Sequence, residues 1–346
     1  MKYTRLITLL AASTMLATFS ANAYDKDGAV YDKDGDGKRH HHKKHHKPMQ
    51  RFTLTGGATY LAPTMNGLDY VNVENTDALG LETFTPSNIN PNYNWGYFLA
   101  FGYMISKHYD IQASWQQFNS NQSDSTLVTG GADTDMYTSN LTEIAVPVGV
   151  IDEASTTETL KTQAFDATLG QYHNITKMLN VRPFAGVKYA QVNSKTVNDY
   201  TGTSIDLPRS EEYNSQYWGV GPEVGLDAEY KIVQHFGVVG HLAAAFLVGD
   251  LTTSTDYAAA AGGGFASVDY DGEKNNRVVP ELDAKLGLNW TSLYAHESFG
   301  LGIEGGYQVA YYFDVVDQVQ LTDGGPEHQY SDIGIMGPYL NLSARF

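Results

Sequence analysis

Between Trp218 and Tyr230 every second residue is apolar (Trp218, Val220, Pro222, Val224, Leu226, Ala228, Tyr230), and between them stand Gly219, Gly221, Glu223, Gly225, Asp227 and Glu229. A period of two marks a strand with one apolar and one polar face. After a polar break at Lys231 to His235 the pattern resumes through Phe236, Val238, Gly240, Leu242, Ala244, Phe246 and Val248, which predicts a hairpin. Strands of soluble proteins usually run to about five or six residues, and these are twice that length. The steps from Trp218 to Tyr230, at roughly 3.3 Å each and tilted by about 40°, rise roughly 30 Å, the thickness of a hydrocarbon layer with an aromatic at each face. From this hairpin alone a large soluble sandwich stays open as the alternative.

The same alternation recurs along the chain. A first strand reads Phe52, Leu54, Gly56, Ala58 and Tyr60 on one face; later ones carry Trp95 to Tyr103, Tyr109 to Trp115, Phe165 to Leu169, Val181 to Tyr189, Val278 to Trp290, Phe299 to Phe313 and Met336 to Phe346. With the opening hairpin these make about ten strands, joined by long polar connections alternating with short turns, both chain ends lying on the short-turn side. Even strand number and sorted loop lengths predict a transmembrane antiparallel up-and-down β-barrel, with long extracellular loops and short periplasmic turns. Either 62–92 or 119–157 has room for an extra pair of strands, so twelve is the alternative. The terminal Phe346, preceded by Ala344, Leu342 and Leu340, has the form of the C-terminal signal read by the barrel assembly machinery.

Composition agrees with this picture. Charged residues make up 18%, Gly 34 and Tyr 24 suit a barrel wall with aromatic interfaces, and the absence of cysteine (Cys 0) suits an oxidising compartment. Lys2 and Arg5, an apolar run from Leu6 to Phe19 and the sequence Ala21-Asn22-Ala23 predict a signal peptide over 1–23, and hence export. Residues 24–50 are an Asp-, His- and Lys-rich tail that cannot form a core. Its Asp32-x-Asp34-x-Asp36-Gly37 matches half of a calcium loop, but Lys43 stands where a bidentate Glu belongs. His40, His41, His42, His45 and His46 offer at most a weak metal site without fixed geometry. The barrel proper is expected over 51–346.

The strand faces Asp110-Ile-Gln-Ala-Ser-Trp115, Arg182-Pro-Phe-Ala-Gly-Val-Lys-Tyr-Ala190 and Val278-Val-Pro-Glu-Leu-Asp-Ala-Lys-Leu-Gly287, with Gly337-Pro-Tyr-Leu340, resemble the Legionella major outer membrane protein family of pore-forming proteins. The resemblance extends from Phe52 to Phe346 and leaves out the tail. It implies residence in the outer membrane of a Gram-negative bacterium and a porin-like activity, neither of which strand spacing shows by itself.

By residue type the lumen is expected to hold Asp110, Asp166, Glu223, Asp227, Glu229, Glu281, Asp283 and Glu304 against Lys161, Arg182, Lys188, Arg277 and Lys285. Of these, Arg182, Lys188, Glu223, Asp227, Arg277, Glu281, Asp283, Lys285 and Glu304 are the candidate pore-lining residues, and the acid surplus predicts a mild preference for cations. Opposite charges in a narrow barrel also pair and fill space, so a non-conducting structural barrel is the competing expectation. A third is an adhesin acting through acidic loops that hold Asp133, Asp135, Asp152, Glu153, Glu211, Glu212, Asp269, Asp271 and Glu273. The expected partners are outer-membrane lipid and lipopolysaccharide, the assembly machinery through Phe346, and small solutes or ions. A net charge of -17 disfavours nucleic acid. No cofactor is called for. An enzyme is not expected, because His173, His241 and His296 lack a nucleophile in a readable arrangement.

Overall fold

The computed structural model describes residues 51–65, 69–76, 82–89, 92–127, 134–138, 151–202, 208–261, 264–272, 274–294, 299–322 and 325–346. Their elements are all strands: β1 (Phe52–Met65), β2 (Asp69–Thr76), β3 (Glu82–Asn88), β4 (Asn94–Met104), β5 (Tyr109–Leu127), β6 (Thr134–Thr138), β7 (Ile151–Gln171), β8 (His173–Asn174), β9 (Leu179–Gly202), β10 (Arg209–Val233), β11 (Phe236–Ala261), β12 (Gly264–Asp271), β13 (Asn275–Tyr294), β14 (Phe299–Thr322) and β15 (Gly325–Arg345). The predicted signal peptide and the histidine tail lie outside the described residues.

Ten of these strands close into a ring in the order β1, β4, β5, β7, β9, β10, β11, β13, β14, β15, each antiparallel to its neighbours, with β15 returning to β1. Closure leaves no free sheet edge at membrane depth, as hydrocarbon demands. The chain ends complete the seam. The Phe52 and Arg51 amides donate to the Phe346 carbonyl at 2.8 and 3.0 Å, and the Phe346 amide donates to the Phe52 carbonyl at 3.0 Å. The Phe52 and Phe346 rings stack 5.9 Å apart.

The ring therefore has ten strands and not twelve. The segment 62–92 does hide a hairpin, β2 with β3, but it pairs with β6 from the next connection in a separate three-stranded sheet. Two short turns share one device: Ser106 Oγ accepts from the His108 and Tyr109 amides, and Thr176 Oγ1 from the Met178 and Leu179 amides, which closes each turn without glycine.

The outer face carries the alternating apolar residues. Leu99, Phe101, Leu242, Phe246, Leu286, Leu288, Leu340 and Leu342 are all exposed. A continuous exposed apolar band of this kind needs lipid against it. Tyr60, Tyr93 and Trp95 cluster at its upper rim with ring centroids 5.0 to 5.2 Å apart, and Phe101, Phe52 and Tyr103 at its lower one. Amphipathic rings settle at the headgroup level on both sides of such a band.

Above the upper rim the strands continue further than the alternation predicts. β5 runs to Leu127, β7 starts at Ile151, and β9 and β10 stay paired up to Tyr200 and Arg209. The described parts of the segments expected as loops over 119–157 and 190–216 are thus largely strand. Ser, Thr, Asn and Gln pair well in a ladder, but with water outside no apolar face remains to announce them.

Candidate functional site

The side chains that point into the barrel form layers, and β9 shows their order. Its inward residues run Arg182, Phe184, Lys188, Ala190, Val192, Ser194, Thr196, Asn198 and Tyr200, every one buried. Charge comes first, then apolar groups, then neutral polar groups, then an aromatic cover.

Two ion-pair clusters make up the charged part. Arg182 reaches from β9 to Asp110 on β5 and Asp227 on β10, at 2.8 Å each. The second oxygen of Asp227 pairs with His241 Nδ1 at 2.6 Å, and the His241 ring stacks on Phe184. Gly170 makes room for this cluster, because a Cβ there would run into the Arg182 guanidinium. Further up β9, beyond Phe184, Lys188 crosses the lumen to Glu281 on β13 at 2.7 Å, with Glu223 and Asp166 both at 3.7 Å. A single ammonium is thus shared by three carboxylates. Low dielectric makes such attractions strong, and three carboxyl groups meet one ammonium there.

The other predicted lumenal residues point inward as well. Lys285 lies over the Phe98 ring at 4.9 Å, Arg277 over the Tyr330 ring at 3.9 Å, and Glu304 accepts from the Tyr339 hydroxyl at 2.8 Å. Glu229 accepts from Asn289 at 2.8 Å, and Asp283 is buried near the Lys188 cluster. Lys161 corrects the sequence reading. It shares the parity of Phe165 and Leu169 and faces outward, exposed, where it lines a recess of about 250 Å³ with Gln117, Asn119, Gln163, Gln191 and Asn193. A charge is tolerated on that face because it stands above the apolar band. Without Lys161 the lumenal acids named above outnumber the bases two to one.

Above the ion pairs the lumen is filled. Leu61, Phe118, Leu160, Val192, Tyr217, Leu247, Leu251, Val279, Tyr312, Val315, Val316, Ile333 and Ile335 form one buried apolar cluster drawn from nine of the ten strands. Sequence reasoning missed this layer, whose signal is apolar residues at positions of polar parity. Part of it comes from an irregularity in β14. Between Tyr312 and Val316 the register against β15 slips, and Val315 and Val316 are both buried. Asp314 takes a left-handed conformation (φ 48) at the slip, a region Asp tolerates better than most residues. Asp332 braces it by accepting from the Asp314 amide at 2.7 Å and the Tyr311 hydroxyl at 2.8 Å.

Beyond the slip, the hairpin of β14 and β15 reaches across the barrel's upper interior. The Asp317 amide donates to Ser215 Oγ on β10 at 3.1 Å, and Thr255 Oγ1 on β11 donates to the Val319 carbonyl at 2.8 Å. On the opposite side β2 covers the upper interior of β7 and β9. Tyr70 and Val71 pack with Ile89, Ile151, Ala154 and Tyr200, and the Tyr200 hydroxyl donates to the Tyr70 carbonyl at 2.8 Å.

The acids expected on loops divide as well. Glu211 belongs to β10, points inward fully buried and pairs with Arg209 and Tyr213; burial holds its carboxyl above the usual range while Arg209 opposes the shift. Glu212 faces outward and pairs with Lys195. Asp133, Glu273 and the histidines of the tail lie outside the described residues. Among the described residues no three His, Asp or Glu side chains converge as a metal site.

A closed antiparallel ring with a lipid-facing apolar band, aromatic rims and a charged interior is an outer-membrane β-barrel. The model of the family described as Legionella pneumophila major outer membrane protein precursor matches residues 47–346, and the chain belongs to that family. It is a protein of the outer membrane. A search of curated proteins gave no match. Among solved structures, a TodX mutant monoaromatic hydrocarbon channel aligns at 10% identity with a TM-score of 0.34, covering 86% of this chain and 91% of that one. The attachment invasion locus protein Ail of Yersinia pestis aligns at 9% identity and TM-score 0.24, covering 65% and 100%. The translocator domain of autotransporter NalP from Neisseria meningitidis aligns at 10% and 0.29, covering 87% and 90%. Likeness at this level carries no argument about function; the barrel is read from this chain's own strand pairing.

Proposed function

We propose that the protein is a gated pore for ions and small solutes with a mild preference for cations, closed in the conformation described above. The observation that carries this reading is the cluster of Glu281, Glu223 and Asp166 around Lys188. A barrel that only needed filling would pair its charges one to one or bury apolar groups instead, because uncompensated carboxylates cost stability. A lumen with surplus carboxylates at its waist raises the local concentration of cations once water enters.

The closure is of a kind that can be undone. Its apolar layer depends on a register slip in β14, and the hairpin above it is tied to β10 and β11 by hydrogen bonds at Ser215 and Thr255. Neither tie belongs to the barrel's own ladder, so the hairpin can move while the ring stays shut. No bond-making chemistry is assigned to His241 or any other residue, and insertion through Phe346 by the assembly machinery is part of the same reading.

The test is planar-bilayer recording with the Ser215→Ala, Thr255→Val double variant beside the unaltered protein. The expected result is rare, brief openings in the unaltered protein and at least tenfold higher open probability in the variant, with a cation-biased reversal potential in a salt gradient. Absence of steps from both, in preparations that are heat-modifiable on gels, would leave the non-conducting structural barrel as the function.

A further inference from the structure

High in the barrel, between the apolar layer and the aromatic cover, five buried side chains hold oxygen atoms with no hydrogen-bond partner: Gln122 Oε1, Thr156 Oγ1, Glu158 Oε1, Thr196 Oγ1 and Asn198 Oδ1. All five are more than nine-tenths buried. Their backbone positions are adjacent. Gln122 on β5 stands opposite Glu158 on β7, which stands opposite Thr196 on β9, and Thr156 stands opposite Asn198 one pair further up. Directly opposed side chains on one face start about 5 Å apart, so these five form one contiguous patch on the inner wall of three neighbouring strands.

Three details make this an unfilled site and not a packing accident. The Gln122 amide nitrogen is committed to Ser120 Oγ at 2.9 Å and the Asn92 carbonyl at 3.4 Å, which fixes its oxygen as the end turned to the cluster. Thr196 faces Glu158 in register, yet its hydroxyl donates to nothing. And among the described residues no base pairs with Glu158: the nearest lysines along these strands, Lys161 and Lys195, face outward. Along the same inward face Leu160, Phe118 and Val192 of the apolar cluster lie below the patch, and Ala154 and Tyr200, packed with Tyr70, lie above it.

We propose that Gln122, Thr156, Glu158, Thr196 and Asn198 bind a hard cation of the calcium or sodium type. The donor set is one carboxylate, two amide carbonyls and two hydroxyls, all oxygen, with no nitrogen or sulfur for a softer metal. Calcium takes six to eight oxygens in flexible geometry and accepts amide carbonyls and waters among them, and sodium has similar habits at lower charge. Magnesium, which wants a tight octahedron and keeps its waters, suits a dry cluster on three stiff strands less well. The ion supplies the positive charge that Glu158 lacks and ties β5, β7 and β9 together beneath β2. The site is independent of whether the lumen conducts.

The test uses the full chain folded in detergent and stripped with a chelator. Terbium stands in for the cation, because the Tyr200 ring next along β9 can sensitise its emission. One saturable component per chain is expected, weakened at least tenfold by Glu158→Gln and by Asn198→Ala. Displacement by calcium at micromolar to millimolar levels assigns the site to calcium, and displacement only by sodium assigns it to sodium. Terbium held by Asp32, Asp34 and Asp36 of the tail keeps its emission in Glu158→Gln and is told apart in that way. Glu158→Gln preserves shape and removes a buried charge, and heat-modifiability checks that both variants fold. Emission that Glu158→Gln leaves unchanged, or that neither calcium nor sodium displaces, would overturn the proposal and leave the cluster to water.

Discussion

The lower and upper halves of the barrel are built inside out with respect to each other. At membrane depth the outer face is apolar, with Leu242, Leu286 and Leu340 exposed, and the inner face is charged, with Arg182, Lys188 and their carboxylates buried. Above the aromatic rim the outer face turns polar at Gln117, Lys161 and Gln163, and the inner face turns apolar at Leu160, Val192 and Leu251. One strand, β7, contributes to both regimes within a few residues. The solvent outside sets the rule: where lipid surrounds the ring, polar groups have only the interior to occupy, and where water surrounds it, the interior can hold a core like that of a soluble protein.

The largest test of this reversal is Lys188→Met, which strands Glu281, Glu223 and Asp166 without their ammonium. Breaking a buried charge cluster on one side costs about 3–5 kcal/mol, to be read from guanidinium unfolding in detergent or lipid, and the same variant is expected to move the reversal potential further toward cations. On the outer face, Leu286→Arg places a charge against hydrocarbon and is expected to cost about 2–4 kcal/mol. Lys161→Leu, above the rim on the same kind of face, is expected to change stability by under about 0.5 kcal/mol. Equal costs at the two positions would erase the distinction between the halves.

The interior of the upper half responds to pH through Glu158. In the unfolded chain it ionises near 4.5 and in the cation-free barrel near 7, so the unfolded state loses its proton first. The contribution of Glu158 to stability is therefore greatest below pH 4.5 and declines as pH rises to 7, by about 3 kcal/mol at most. The difference between the native protein and Glu158→Gln, followed across that range in chelator, isolates the effect; no difference would mean that the carboxylate is solvated. A smaller effect than that of Glu158 is expected at the register slip. Asp332→Ala removes the acceptor for the Tyr311 hydroxyl and the Asp314 amide and is expected to cost about 1–2 kcal/mol, together with more frequent openings in a bilayer.

The alternation that made the fold legible belongs to the lower half alone. Ten runs from Phe52 to Phe346 had the right parity because hydrocarbon imposes it, and the predicted lumenal residues in those runs all point inward. Where parity was set aside for residue type, at Lys161, the reading failed. The upper half gave no such signal: strands through Ser120, Thr196 and Ser215 have polar outer faces, so they read as loops. The apolar layer was hidden for a related reason. Leu160, Val192 and Leu247 occupy inward positions where a lumen of charge was expected, and only the ring's closure brings residues from nine strands into one cluster. The cluster of Gln122, Glu158 and Asn198 has no sequence signature, being assembled from three strands by register.

The most direct test of the gated pore is single-channel recording with the inward hairpin removed, residues 316–331 being replaced by a two-residue turn between β14 and β15. Steady steps with a cation-biased reversal potential in the shortened protein, beside near-silence in the full chain, are the predicted result. A shortened barrel that folds, shifts on heating and stays electrically silent would contradict it, as would a full chain that conducts continuously with steps of the same size.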